Sequence, residues 1–119
     1  MGIFDLFRQK KKQAGDFSDI NSNEKLMQLY QEGVLAPLYL MPIKFGGNDS
    51  AINKLFVPPV VVGLKNECDS IIENLLDQEK VDAYKCTPEY KNNSLVPSKI
   101  TVSATKGTEE VFTQTINIW

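Results

Sequence analysis

The sequence contains no histidine, and this absence excludes several classes of chemistry. Catalytic triads and dyads that use an imidazole base are ruled out, and so are zinc sites with histidine ligands. Catalysis by paired carboxylates or by a lysine needs no histidine, so an enzyme is disfavoured without being excluded. We assign no catalytic residue, metal ligand or cofactor from the sequence, and we expect a protein that is not an enzyme.

Cysteine is scarce, because the chain has only Cys68 and Cys86. Two cysteines cannot form a four-cysteine zinc site. Neither lies in a CxxC motif or in a lysine-rich setting that would lower the pKa of a thiol. We therefore expect both to be reduced, buried and structurally equivalent to small apolar residues.

Long apolar runs are also missing. No run approaches the roughly 20 residues that a membrane-spanning helix needs. The opening stretch, MGIFDLFRQKKK, places its apolar residues before its charges, which is the reverse of a secretory signal. The sequence therefore predicts a cytoplasmic protein.

The length of 119 residues and the hydrophobic content of 42% are typical of one globular domain. The charges are unevenly divided along this chain. Residues 1–14 hold four basic residues and one acidic residue, a net charge of +3. Residues 15–119 hold nine basic and fourteen acidic residues, a net charge of −5. A body of this charge is a poor binder of nucleic acid, because affinity for phosphates comes from clustered lysine and arginine. It favours a basic protein as the partner.

The first fourteen residues predict a short amphipathic helix with a cationic end, and we call residues 1–14 the leader. Residues 15–22 are polar and without periodicity, which predicts a linker. The leader could contact an anionic membrane at its inner face, or it could pack on the body or remain mobile, and the sequence leaves these alternatives open. The residues predicted to contact a membrane are Ile3, Phe4, Leu6, Phe7, Lys10, Lys11 and Lys12.

The body, residues 23–119, predicts a single α+β domain. Asn21 and Glu24 resemble a capping box before the first helix, and Gly33 is a natural stop after it. The order of the elements favours a mostly antiparallel four-stranded sheet with two main helices on one face, plus the short N-terminal amphipathic helix. The remaining predicted elements are a strand at 38–45, the longest helix at about 59–78, and strands at 81–90, 99–105 and 110–119. The longest helix carries an apolar stripe at spacings of three and four residues, which predicts a core-facing side and contains Val61, Leu64, Cys68, Ile71 and Leu75 with Ile72 and Leu76.

A polar loop that begins at Gly46 and Gly47 invites comparison with phosphate-binding loops. It lacks the GxxxxGK[ST] and GxGxxG spacings, so a tight turn is the favoured interpretation. In the alternative interpretation the loop contacts a partner through Asn48 and Asp49.

Three carboxylates recur at every fourth position of the longest predicted helix, at Asp69, Glu73 and Asp77. Like charges at this spacing cost a few tenths of a kcal/mol per pair. The row is either a solvated face or a surface that binds a basic partner. Glu89 and Tyr90 follow Pro88 at the end of a predicted strand, where a tyrosine is either an interface anchor or an ordinary strand end.

Five stretches together resemble a family of small bacterial immunity proteins that are encoded beside polymorphic toxin genes: LYLMPxxFGG, NxLFVPP, KVDAYxCTPEY, VPSKITV and TINIW. The resemblance covers about residues 24–119 and excludes the leader. It implies inhibition of a cognate toxin by direct binding, and it assigns no binding residue by position. Our primary hypothesis is a non-enzymatic binding protein whose acidic surface occludes a basic toxin domain. The alternative is a peripheral membrane protein anchored by the leader.

Overall fold

The computed structural model describes residues 16–119, which form an α+β arrangement of two helices and two antiparallel sheets. The predicted α+β class is therefore confirmed, and the leader, including its predicted helix, lies outside the described residues. None of the described helices has both the length and the apolar character needed to cross a membrane. The elements in chain order are α1 (Asn23–Gln31), β1 (Ala36–Tyr39), β2 (Lys54–Val57), α2 (Pro59–Asp77), β3 (Ala83–Glu89), β4 (Lys99–Lys106) and β5 (Glu109–Asn117).

Helix α1 is bounded by residues with clear capping geometry. The side chain of Ser22 accepts a hydrogen bond from the backbone N–H of Lys25 at 3.3 Å, so the predicted cap at Asn21 is wrong by one residue. The predicted stop at Gly33 is confirmed, because its φ of 79° allows the chain to turn out of the helix. The N–H groups of Gly33 and Val34 then satisfy carbonyls of the last helical turn.

The predicted strand at 38–45 is wrong in extent. Strand β1 ends at Tyr39, and a 3-10 turn at Ile43–Phe45 follows Pro42. Leu40 still donates a hydrogen bond to the Asn53 carbonyl at 2.9 Å, and Pro42, which has no N–H to donate, cannot continue the pairing. The chain instead pairs β1 with β2, an antiparallel strand that the sequence pattern does not predict because four residues are too few to display a period.

The three C-terminal strands form a separate antiparallel sheet in the order β3, β4, β5. All three were predicted, and Gly107, with a φ of 59°, lies in the tight turn between the last two. The predicted single four-stranded sheet is wrong, because β1 and β2 form a two-stranded sheet of their own. Helix α2 packs against β4, β5 and β1, whereas α1 contacts β2 through the rings of Tyr30 and Phe56, so the helices do not share one face of one sheet.

The described residues contain two hydrophobic clusters, and Ile118 packs against both. Phe17, from the stretch predicted as a linker, is buried in the smaller cluster, and its carbonyl accepts a hydrogen bond from the Ser94 hydroxyl at 2.6 Å. The folded body therefore includes part of that stretch. The larger cluster is built on Leu38, Val57, Val61, Cys68, Ile72, Val81, Ile100, Val102, Ala104 and Ile116, and the smaller on Phe17, Leu26, Leu35 and Val96.

Candidate functional site

The predicted acidic row on α2 is broken at its first member. Asp69 is only 4% exposed, so the prediction that it lies on the solvated face is wrong. Its carboxylate accepts hydrogen bonds from the Lys65 ammonium at 2.8 Å and from the Tyr84 hydroxyl at 2.7 Å. A carboxylate with both oxygens engaged inside the protein is not available to a partner on the surface.

The rotation of α2 about its axis explains this burial. The helix turns Val61, Cys68 and Ile72 toward the sheet, and this orientation carries Lys65 and Asp69 inward with them. Leu64 and Ile71, which the sequence pattern places in the core, are instead 43% and 47% exposed. Both faces of the helix hold enough apolar residues to be buried, and the packing of the sheet decides between them.

The buried network around Asp69 keeps its neighbours protonated. Burial, and then the hydrogen bond to Asp69, raises the pKa of the Tyr84 hydroxyl above its usual range. Burial likewise raises the pKa of the Cys86 thiol to about 11 and raises the pKa of the Cys68 thiol. Thiols of raised pKa are poor nucleophiles and poor metal ligands, so this cluster is suited to structure rather than to covalent chemistry.

The other two carboxylates of the row lie at the surface. Glu73 forms an ion pair with Lys44 at 3.2 Å, which connects α2 to the 3-10 turn. Asp77 is exposed at the last residue of the helix. The row is thus reduced to two residues, one of which already has a basic partner.

The glycine loop has the geometry of a tight turn. Gly46 has a φ of 99°, and a Cβ at Gly47 would overlap the carbonyl oxygen of Met41. Asn48 caps the backbone N–H of Ser50 at 3.1 Å. The amide of Asn53, which the sequence did not single out, ties the loop together by donating to the carbonyls of Met41 and Asn48.

Asp49 also has partners within its own neighbourhood. Its carboxylate pairs with the Lys54 ammonium at 2.8 Å and accepts a hydrogen bond from the Tyr39 hydroxyl at 2.9 Å. The bond to Lys54 and then the bond to Tyr39 lower the pKa of the Asp49 carboxyl. The charge of Asp49 is therefore partly balanced before any partner arrives.

Glu89 and Tyr90 lie at the end of β3. Glu89 is 3.8 Å from the Lys99 ammonium across the sheet. The Tyr90 side chain is about half exposed, and partial burial raises the pKa of its hydroxyl. These two residues are accessible, but they lie on a different element from Asp77 and from the glycine loop.

An apolar groove of about 340 Å³ runs between α2 and β5. Leu64, Cys68 and Ile71 form its helical wall, and Phe112 and Ile116 line it from the strand. Glu67 adds one acidic side chain to the rim. The groove is open because Leu64 and Ile71 are turned away from the core.

The strand that borders this groove has a free edge. Among residues 16–119, no strand pairs with the outer side of β5. The opposite edge strand, β3, carries Lys85 and Pro88, two residue types that discourage pairing with another chain. Strand β5 contains neither lysine nor proline, and its first two residues are Glu109 and Glu110. The groove and the free edge together form one candidate contact surface, which we call the β5 surface.

The sequence does not reveal the β5 surface, because the helical spacing of Leu64 and Ile71 predicts that both lie in the core. A signal was present, since α2 has more apolar residues than one helical face holds, and Val60 is 68% exposed as well.

Comparisons of the chain with protein-family models, with curated proteins and with solved structures find no match.

Proposed function

We propose that this protein is a non-enzymatic binding protein of the immunity type, which neutralises a basic toxin domain by direct contact through the β5 surface. The observation that carries the proposal is the free edge of β5 beside an apolar groove, with Glu67 at the groove and Glu109 and Glu110 at the start of the strand. The resemblance of residues 24–119 to immunity proteins points to the same class of function.

The free edge offers a partner main-chain hydrogen bonds. An extended segment can add to a sheet edge as a further strand, and the backbone then supplies affinity without a special sequence. Nine residues of β5 are long enough for this mode, since they span about 30 Å at roughly 3.3 Å per residue.

The groove offers the same partner a place for an apolar side chain. Leu64 and Ile71 are nearly half exposed in the free protein, and covering them removes apolar surface from water. Each 100 Å² covered is worth about 2.5 kcal/mol before the costs of association. Side chains alternate along an added strand, so one face of the partner segment would lie over the groove.

The charges select a basic partner. Glu67 lies at the groove, and Glu109 and Glu110 open β5, so the surface carries three carboxylates, and Lys106 lies opposite Glu109 on β4. Complementary charge mainly increases the association rate and excludes acidic proteins. Asp69 is buried, and the other contact residues predicted from the sequence do not line this groove. We propose that they contact the partner only at the periphery of the interface: Glu73, Asp77, Glu89, Tyr90, Asn48 and Asp49.

The test is coexpression of the full chain with the product of the adjacent open reading frame, followed by calorimetric titration of the purified pair. We expect Ile71→Glu to weaken binding at least tenfold, because it places a charge in the groove. The matched control is Val60→Glu, which puts the same charge on an exposed apolar site of α2 outside the groove and should leave binding unchanged. If no neighbouring product binds and none is toxic alone, the proposal is wrong.

A second pair of variants tests the charge. Glu109→Lys with Glu110→Lys should slow association and reduce its dependence on salt. Glu24→Lys with Glu32→Lys makes the same change of net charge at Glu24 of α1 and at Glu32, which caps the end of that helix; both are exposed and distant from β5 in sequence. Equal effects of the two pairs would assign the binding to net charge rather than to the β5 surface.

A further inference from the structure

A second cleft, of about 420 Å³, lies on the other side of α2 from the β5 surface. Leu38 and Tyr39 of β1, Pro42 and Ile43 of the following turn, and Val62 of α2 form its walls. Its volume falls in the range of about 300–1,000 Å³ that is usual for sites of small ligands. Because it shares no lining residue with the groove, an inference about it is independent of the proposed function.

The floor of this cleft is charged, since Lys65 and Asp69 line it and are almost fully buried. The Lys65 ammonium has three N–H donors. Among the described residues, only Asp69 accepts a hydrogen bond from it. The nitrogen also lies 5.5 Å from the centroid of the Tyr84 ring. This is a cation–π contact, which attracts the charge of the ammonium without providing an oxygen or nitrogen acceptor for its N–H groups. The ammonium therefore has donor capacity left for an acceptor in the cleft.

The chemistry of the floor selects the ligand. Asp69 is fully engaged, with one oxygen bonded to Lys65 and the other to the Tyr84 hydroxyl. The ammonium is thus already balanced by a carboxylate, so a second carboxylate would meet repulsion from Asp69. A neutral carbonyl oxygen meets no such repulsion and can accept the remaining N–H. The amide of Asn66, which also lines the cleft, can donate to or accept from the same polar end of a ligand.

An ion pair lies beside the cleft. The ion pair of Lys44 and Glu73, at 3.2 Å, joins the turn on one side to α2 on the other, and Lys44 lines the cleft. Both side chains are well exposed, and a surface pair of this kind is weak. The pair therefore holds the turn against α2 only weakly.

We propose that this cleft binds a small uncharged molecule with an apolar body and one carboxamide or ketone oxygen, which accepts a hydrogen bond from Lys65. The apolar body lies against Leu38, Ile43 and Val62. The ligand is held between β1 and α2 and leaves the β5 surface free.

The test is a titration of the full ¹⁵N-labelled chain with benzamide, followed by NMR. We expect saturable shifts of the backbone amides of Leu38, Ile43 and Val62 with a Kd below about 10 mM. Benzoate and ethylbenzene should bind at least fivefold more weakly, because one carries a charge and the other lacks the carbonyl. Absence of saturation, or shifts confined to Phe112 and its neighbours, would overturn the proposal.

Variants separate the polar floor from the cavity. Replacing Lys65 alone would leave Asp69 buried without its partner, so we use the triple variant Lys65→Met, Asp69→Leu and Tyr84→Phe, which keeps volume and removes the whole network. It should bind benzamide at least tenfold more weakly and ethylbenzene no more weakly. Undiminished binding of benzamide would contradict the proposal.

Val62→Trp is the second variant. It fills the cleft while leaving the network in place, and it should abolish binding of both probes. The control, Leu64→Trp, lies in the β5 surface and should change the binding of neither probe.

Discussion

At the scale of single residues, the ends of α1 and α2 use the same hydrogen-bond pattern with different amino acids. Gly33 follows α1 with a φ of 79°, and Glu79 follows α2 with a φ of 59°. In the second case the N–H groups of Glu79 and Lys80 bond to the carbonyls of Leu76 and Leu75 at 3.0 and 2.8 Å. A left-handed conformation costs a residue with a Cβ roughly 1–2 kcal/mol, and glycine avoids most of that cost.

We therefore predict that Glu79→Gly raises the free energy of unfolding by up to about 1 kcal/mol, after allowance for the greater freedom of glycine in the unfolded chain. The matched change Gly33→Ala should lower it by about 1 kcal/mol, because a Cβ there meets no neighbouring atom and only the backbone strain counts. Urea denaturation measures both. A destabilising Glu79→Gly would mean that its side chain contributes more than the strain costs.

The buried pair of Lys65 and Asp69 gives a second prediction at this scale. Asp69→Ala leaves the ammonium buried without a counter-charge and should lower the free energy of unfolding by about 3–5 kcal/mol. The control is Glu73→Ala, which breaks an exposed ion pair on the same helix and should cost less than about 1 kcal/mol. Urea denaturation of both variants decides: equal costs would show that the network of Asp69 contributes no more than a surface pair does.

At the scale of elements, the sequence predicts what local pattern determines. The predicted bounds of helix α2 agree with the observed ones to within one residue, because Pro59 suits a helix start and a long apolar repeat follows it. Strand β4 is predicted from the alternation of Ile100, Val102 and Ala104. Strand β2 is missed because four residues display no period. The rotation of α2 is missed because two of its faces are apolar, so the choice between them depends on tertiary packing.

The same ambiguity explains what could be predicted of the candidate surface. Glu67 and the strand β5 are visible in the sequence, but the groove exists only because Leu64 and Ile71 turn away from the core. Conversely, Asp69 looks like a surface carboxylate in a helical pattern, and only its contact with Tyr84, fifteen residues further on, shows that it is internal.

The free edge of β5 leads to a prediction for hydrogen exchange. Strand β4 is paired on both sides, so its amides should exchange slowly throughout. In β5, only amides that point toward β4 should be protected, and those that point outward should exchange rapidly in the free protein and slowly in the complex with the partner. NMR-detected exchange measures this alternation. Uniform protection of β5 in the free protein would mean that its edge is already covered.

At the scale of the whole molecule, contacts of Ile118 and Trp119 connect the two hydrophobic clusters. Ile118 packs against both clusters, and the Trp119 indole donates to the Val96 carbonyl at 3.0 Å and meets the Phe17 ring edge-on. The last residues thus join the N-terminal stretch at Phe17 to the three-stranded sheet. The surface formed by α2 and β5 rests on the larger cluster, which Ile118 connects to the smaller one.

The charge division along the chain gives the last prediction, which separates the binding hypothesis from the membrane alternative. The leader has a net charge of +3 with Phe4 and Phe7 among its apolar residues, whereas residues 15–119 carry −5 and should be repelled by anionic lipid. Each lysine near such a surface is worth about 1 kcal/mol. If the leader is an anchor, the full chain should float with vesicles that contain anionic lipid, with reduced binding at high salt, and the chain of residues 15–119 should stay in solution.

Lys10→Glu with Lys11→Glu should release the full chain, whereas the same charge change at the exposed body residues Lys80 and Lys85 should weaken binding much less. Equal flotation of the two chain lengths would exclude an anchor in the leader and leave the β5 surface as the functional element.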